Sequence, residues 1–285
     1  MTLLLAAGMV AALLPVLEGV DGSAREGAID SIAAGCAPRE MAAGLSTAGW
    51  RGRAALIDAL TRRGPEAFET VCRVVREADR PDVRRRSILA LGKMGGKVAG
   101  DSLVAFLEQG GDADVILEAL GKSAAIEHCA KIRPYLGSDQ VNVRRQAVVA
   151  LGLLDPGDPD SIAARLNDVH HSVRHSAAEA LGAMGPWAGE SIRRRWESLS
   201  SAGRIAGLLA LGKIGDGPSV ALLTAVLGSR DPALASSAAA ALGVAGASMA
   251  LEALETAATE GEHPLLRLRA RAALELLNSE SDASR

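Results

Sequence analysis

Aromatic residues are scarce: three Trp, one Tyr and two Phe make up 2% of the 285 residues. An interior that cannot rely on large rings must be built from Ala, Leu, Val and Ile, which suits closely packed helices with small side chains. Cysteine is sparse as well. Cys36, Cys72 and Cys129 are odd in number and far apart, which argues for reduced thiols used as small core residues and against a disulfide framework or a cysteine metal site. No excess of one charge exists: 31 Lys and Arg face 34 Asp and Glu, for a net charge of −3, split 17 to 18 through position 140 and 14 to 16 after it. Without a basic half there is little electrostatic reason to expect nucleic acid as a partner. No nucleophile elbow, phosphate-binding glycine loop, paired-cysteine motif or dinucleotide fingerprint occurs, and no strand signal stands out. No catalytic residue, metal or cofactor is expected.

What the chain does have is a phrase that returns: "LALGKMG" from Leu89, "VALGLLD" from Val149, "EALGAMG" from Glu179, "LALGKIG" from Leu209 and "AALGVAG" from Ala240. Taking the leucine of each phrase as an anchor gives Leu91, Leu120, Leu151, Leu181, Leu211 and Leu242, spaced by 29, 31, 30, 30 and 31 residues. The register extends back to Leu60 and Ile32 and forward to Leu274, nine units in all. Upstream of each anchor the apolar residues fall at helical spacing on one face. Leu17, Leu45, Leu136, Leu166 and Leu227, with Trp196 in the same place, recur about fifteen residues earlier and mark a first helix in each unit. Helix, turn, helix in roughly 30 residues is an α-solenoid unit. The predicted fold is therefore all-α, a superhelical stack of about nine antiparallel hairpins forming a single domain over residues 1–277, followed by a disordered polar tail over 278–285. Gly92, Gly121, Gly152, Gly182, Gly212 and Gly243 follow the anchors, where a missing side chain lets helices approach closely. Gly64, Gly95, Gly185, Gly215 and Gly246 sit where a helix end needs positive φ.

The segments "DVRRRSILALGKMG" and "SVRHSAAEALGAMG" resemble the short HEAT-like repeats of the subtype also found in phycobilisome lyases, over roughly residues 2 to 277. The resemblance implies a protein-binding scaffold in most cases and an enzyme in a minority. "VRHSAAEALG" is also similar to deoxyhypusine hydroxylase, whose iron site uses His-Glu pairs. Here the pair is His175-Ser176, and the equivalent places hold Arg85-Arg86, Arg145-Gln146 and Ile205-Ala206, so that activity is not carried over.

The most regular polar feature is an arginine seven residues before the anchor, at Arg25, Arg53, Arg84, Arg144, Arg174, Arg204 and Arg267, interrupted by Ala113 and Ala235. At the margin of the apolar stripe such a residue reaches along the stack. Asp79, Asp139 and Asp168, five or six residues before Arg84, Arg144 and Arg174, or inter-unit turn carbonyls, would bind it as a structural ladder; the functional alternative is a stripe for anions. Six and two residues before the anchors lie the positions expected to face solvent on the concave side. The partner-binding candidates there are Arg85, Leu89, Arg145, Val149, His175, Glu179, Ile205 and Leu209. Acidic and mixed pairs occupy the first six units, whereas Ile205, Leu209, Ser236 and Ala240 are apolar or small, as at a partner site; the alternative is that curvature or the last unit buries them. His170, His171, His175 and Glu179 cluster, but with His171 just before the helix a three-ligand metal geometry is spoiled. Trp50, Trp187, Trp196 and Tyr135 could contact a flat ligand, although Trp196 occupies a core place. The run Arg193 to Arg195 reads as a solvated face.

The stretch "MTLLLAAGMVAALLPVL" has the apolar core of an export signal but lacks a basic start, and Pro15, Leu17 and Arg25 stand in the same register as Pro134, Leu136 and Arg144. It is read as the outer helix of the first unit, the alternative being a signal or membrane anchor over residues 1–24. The resulting expectation is a cytoplasmic, monomeric, non-catalytic scaffold that binds a protein or peptide. The alternatives are a phycobilin lyase-like chromophore handler and a nucleic-acid-binding repeat protein.

Overall fold

The computed structural model describes residues 2–246 and 248–283. All regular elements among them are helical, and they divide into two compact units, Met1–Ile132 and Arg133–Arg285, where the periodicity suggests one domain.

In the first unit the hairpins pair α1 (Thr2–Glu18) with α2 (Gly22–Gly35), α3 (Pro38–Gly44) with α4 (Trp50–Arg63), α5 (Phe68–Glu77) with α6 (Pro81–Met94), and α7 (Gly96–Gln109) with α8 (Ala113–Ser123); the short α9 (Cys129–Ile132) ends the unit. The second unit holds α10 (Val141–Leu154), then α11 (Pro159–Ala163) with α12 (His171–Met184), α13 (Pro186–Arg195) with α14 (Ser201–Ile214), α15 (Gly217–Leu227) with α16 (Pro232–Val244), and α17 (Leu251–Glu260) with α18 (Pro264–Ala283). Leu151 lies on α10 and every other anchor on the second helix of its pair, and all but the last are buried; Leu274, on α18, is half-buried. α18 continues through 278–283, residues the sequence assigns to a polar tail, while Ser284 and Arg285 lie outside the described residues. α1 packs against α2, α3 and α4 with Val10 and Leu17 buried, and the Glu18 carboxylate accepts the Gly52 N–H at 3.1 Å.

Local chemistry sets the helix ends. Asp21, Asp216 and Asp231 accept backbone N–H groups at the starts of α2, α15 and α16, and Ser200 does so for α14. Pro81, Pro159, Pro186 and Pro232 begin helices in which the missing N–H costs nothing. Gly64, Gly95, Gly185, Gly215 and Gly246 all have positive φ. At Gly95, with φ 71° and ψ −176°, the backbone occupies a region open essentially to glycine alone.

Second helices pack on one another through the glycine after the anchor. A Cβ on Gly92 would lie 2.6 Å from the Ala119 carbonyl oxygen, and one on Gly212 would lie 2.7 Å from that of Ala241. In both cases the neighbour is the residue just before the next anchor, so a Gly on one helix receives an Ala on the next.

A groove on the second unit

From Arg53 onward the arginines of the ladder are engaged in structure. Arg144 donates through Nε and Nη2 to both carboxylate oxygens of Asp168, at 2.8 and 2.9 Å, and through Nη1 to the carbonyls of Ser138 and Asp139. The two side chains are 10% and 4% exposed. Burial alone would raise the Asp168 carboxyl, but hydrogen bonds from Arg144 and the His170 N–H outweigh it and hold the group below the usual carboxylate value. Arg53 reaches Asp82 at 3.0 Å and the Ala48 carbonyl, and Arg84 reaches Asp112 at 2.7 Å. Arg174, Arg204 and Arg267 bind carbonyls of their own turns, namely Asp168 and Val169, Trp196 and Glu197, and Gly261.

One expectation is thereby corrected. For Arg53, Arg84 and Arg144 the paired carboxylate is not an acid of the arginine's own turn, as Asp79 for Arg84 or Asp139 for Arg144 would be, whereas Arg204 does pair with Glu197 of its own turn at 3.0 Å; in the first three cases the partner lies further along the chain. It belongs to the following hairpin, close to the start of its second helix, where the N-terminal partial charge also favours an anion. The turns next to Arg53, Arg144, Arg174, Arg204 and Arg267 contribute backbone carbonyls, the other kind of partner expected from the sequence.

On the face carrying the positions six and two before the anchors, the units differ. In the first unit that face is tied up by its own charges: Arg62 pairs with Glu26 and Asp30 on α2, and Arg85 with Asp112 and with Asp114 at 2.9 Å. Leu89 borders a small cavity there, beside Asp58, Arg86, Lys93 and Lys122. In the second unit Arg145 and Val149 are half-buried on α10, and Glu179 pairs with Lys213 at 2.5 Å.

Beyond that pair the face opens into a groove of about 640 Å³ across α12, α14, α16 and α18. Its floor is Ala202, Ile205, Ala206 and Leu209 from α14, Ala233, Ser236, Ser237, Ala240, Ala241 and Val244 from α16, and Leu265 from α18; its rim is His171, Arg174, His175 and Arg269. Ile205 and Leu209 are half-buried, Val244 is 55% exposed and Leu265 48% exposed. Leu268 and Leu276, at 63% and 49%, carry the apolar face further along α18. No carboxylate lines the groove. Among the described residues Arg269 and His175 have no ion pair or hydrogen bond, and Arg174 uses only Nη1.

Of the eight candidate residues, His175, Ile205 and Leu209 thus meet in one groove and the other five do not. His171 opens α12 rather than preceding it, and its ring stacks on His170 at 4.7 Å. No group of three metal-binding side chains occurs among the described residues. Trp196 is buried beneath the Arg204 guanidinium, and Trp50 and Trp187 are exposed on α4 and α13. No helix among the described residues is long and apolar enough to cross a membrane.

Comparison with known proteins agrees with this architecture. The family model for HEAT repeats matches residues 38–121. The crystal structure of the YibA protein of Escherichia coli aligns over 92% of this chain and 99% of its own, at 16% identity and a TM-score of 0.51. A mutant of Kap121p aligns over 94% of this chain and 35% of its own, at 13% identity and 0.52. The phycocyanin lyase complex of CpcE and CpcF from Nostoc sp. aligns over 74% of this chain at 22% identity, with a TM-score of 0.43. Curated proteins give no match. The period, the paired helices and the alignments with YibA and the Kap121p mutant agree on an all-α solenoid fold, in which residues 38–121 match HEAT repeats.

Proposed function

We propose that the protein is a non-catalytic interaction module and that a protein or peptide partner docks in the groove lined by α12, α14, α16 and α18. One observation carries the reading. Along much of the chain the conspicuous arginines, leucines and glycines hold the hairpins together, whereas here aliphatic side chains and arginines share a recessed surface whose lining, unlike that of the recess between α15, α17 and α18 with its Glu252, Glu260 and Glu262, contains no carboxylate. A soluble protein that leaves such a patch uncovered is expected to cover it with a partner. Half-buried aliphatics such as Ile205 and Leu209 are suited to anchor one, because desolvated apolar contacts at the centre of an interface dominate its energy.

The test is a pair of substitutions. Ile205→Asp with Leu209→Asp should empty a pull-down from native lysate of its specific partner while leaving the far-ultraviolet circular dichroism unchanged. The same change at Ala54, on the corresponding face of α4, should leave the pull-down intact. An undiminished partner in the Ile205→Asp/Leu209→Asp protein would count against the groove.

A further inference from the structure

Taking the groove as the docking surface, we infer that its occupant is an acidic amphipathic helix of a protein partner, with aliphatic residues on one face and carboxylates beside them. The inference rests on the interaction reading above and adds the chemistry of the partner.

Charge is the first argument. The rim carries Arg174, Arg269, His171 and His175 and the lining contains no acid, while the nearest carboxylate on the same face of α12, Glu179, is already taken by Lys213. The corresponding face of the first unit is different, since there Arg62 and Arg85 each face two carboxylates of the same unit. Arginines left without a carboxylate beside an apolar floor select a ligand that brings its own anions, and like charge on the ligand is rejected.

Backbone chemistry is the second. An extended peptide needs hydrogen-bond partners for its N–H and C=O groups when it loses water. The groove provides few: no strand edge exists among the described residues, the floor is aliphatic apart from Ser236 and Ser237, and of these two hydroxyls the buried one of Ser236 is spent on the Ala233 carbonyl at 3.2 Å. A helix satisfies its own backbone and needs only an apolar stripe. Four adjacent helices at about 8–10 Å spacing give a floor of roughly 25–30 Å, matched by about 17–20 helical residues.

The experiment uses the full-length chain and labelled designed peptides of about 20 residues, long enough to span that floor. One has a leucine stripe with Glu on the other positions, a second carries Lys in place of Glu, a third carries Gln, and a fourth scrambles the acidic composition. Fluorescence anisotropy should show the acidic amphipath binding at least tenfold more tightly than the other three, with affinity falling as salt rises. Arg269→Glu with His175→Glu, both at positions outside the core, should weaken it about tenfold and bring the lysine peptide up, and Leu209→Asp should abolish both. Equal binding of the glutamine or lysine peptide would overturn the inference, as would binding indifferent to Arg269→Glu/His175→Glu. Tighter, Arg269-dependent binding to phosphatidylserine vesicles than to the acidic peptide would overturn it in favour of a lipid surface. If no peptide binds while Ile205→Asp/Leu209→Asp still empties the native pull-down, the partner chemistry is wrong and the interaction reading stands; if the pull-down is also unchanged, both fall.

Discussion

The same substitution, Gly to Ala, should have opposite signs at two positions of the first unit. At Gly92 on α6 the new Cβ would sit 2.6 Å from the carbonyl oxygen and 2.7 Å from the Cα of Ala119 on α8. Both are backbone atoms, so no rotamer change relieves the clash, and restoring ordinary contact requires the helices to move apart by roughly 0.7 Å or more. Overpacking of this kind costs about 1–3 kcal/mol, offset by about 0.5–1 kcal/mol because Ala is the better helix former. Gly92→Ala is therefore expected to destabilise the unit by about 1–2 kcal/mol. At Gly27 on α2 nothing lies within 4 Å of the new Cβ, leaving only the propensity gain of about 0.5–1 kcal/mol. Urea titration followed by circular dichroism gives the two midpoints, and hydrogen exchange read by mass spectrometry should place the Gly92→Ala loss in α6 and α8. A Gly92→Ala protein as stable as Gly27→Ala would refute the close Gly-to-Ala approach as the device that joins successive second helices.

Further outcomes follow from the polar contacts. Asp168→Asn should cost about 3 kcal/mol, since it leaves the buried Arg144 with carbonyl partners only. Because the folded Asp168 carboxyl titrates below its unfolded value of about 3.9, its contribution is complete above that pH and disappears as pH falls through the lowered folded value. Acid unfolding of Asp168→Asn should accordingly lack that part of the low-pH decline. By contrast Arg62→Ala, which breaks exposed pairs with Glu26 and Asp30, should change stability by less than about 1 kcal/mol in the same titration. Cys36, Cys72 and Cys129 are buried, and burial pushes the Cys36 and Cys72 thiols up; a thiol reagent should label them slowly in the native protein and rapidly in denaturant, and fast native labelling would contradict their core placement.

Much of this was legible in the sequence for a physical reason. A leucine that must be buried every 30 or so residues, a glycine that must admit the next helix and a glycine that must turn the chain each leave one residue type at one place in every period. Leu91, Gly92 and Gly95 are such a trio, and each does in the structure what its position requires. The arginine series was visible, but its carboxylates were not assignable. Asp82, Asp112 and Asp168 pair with arginines 24 to 29 residues before them, a distance fixed by the step between hairpins rather than by local spacing. Ile205 and Leu209 stood out because aliphatics replaced charges at face positions. Their companions Leu265 and Arg269 did not, since they lie nine and five residues before Leu274 and so outside the positions six and two before an anchor. The division at Ile132 leaves no mark on the period: Leu120 and Leu151 are as far apart as Leu211 and Leu242.

The most direct test of the groove is photo-crosslinking in the native cell from a photoreactive side chain placed at Leu265, compared with one at Val98 on α7, which is similarly exposed at 64% against 48%. If the groove receives a protein segment, position 265 yields a discrete protein adduct that disappears in the Ile205→Asp/Leu209→Asp background, and position 98 yields none. Adducts of equal intensity from both positions, or an adduct at 265 that survives those substitutions, would contradict it.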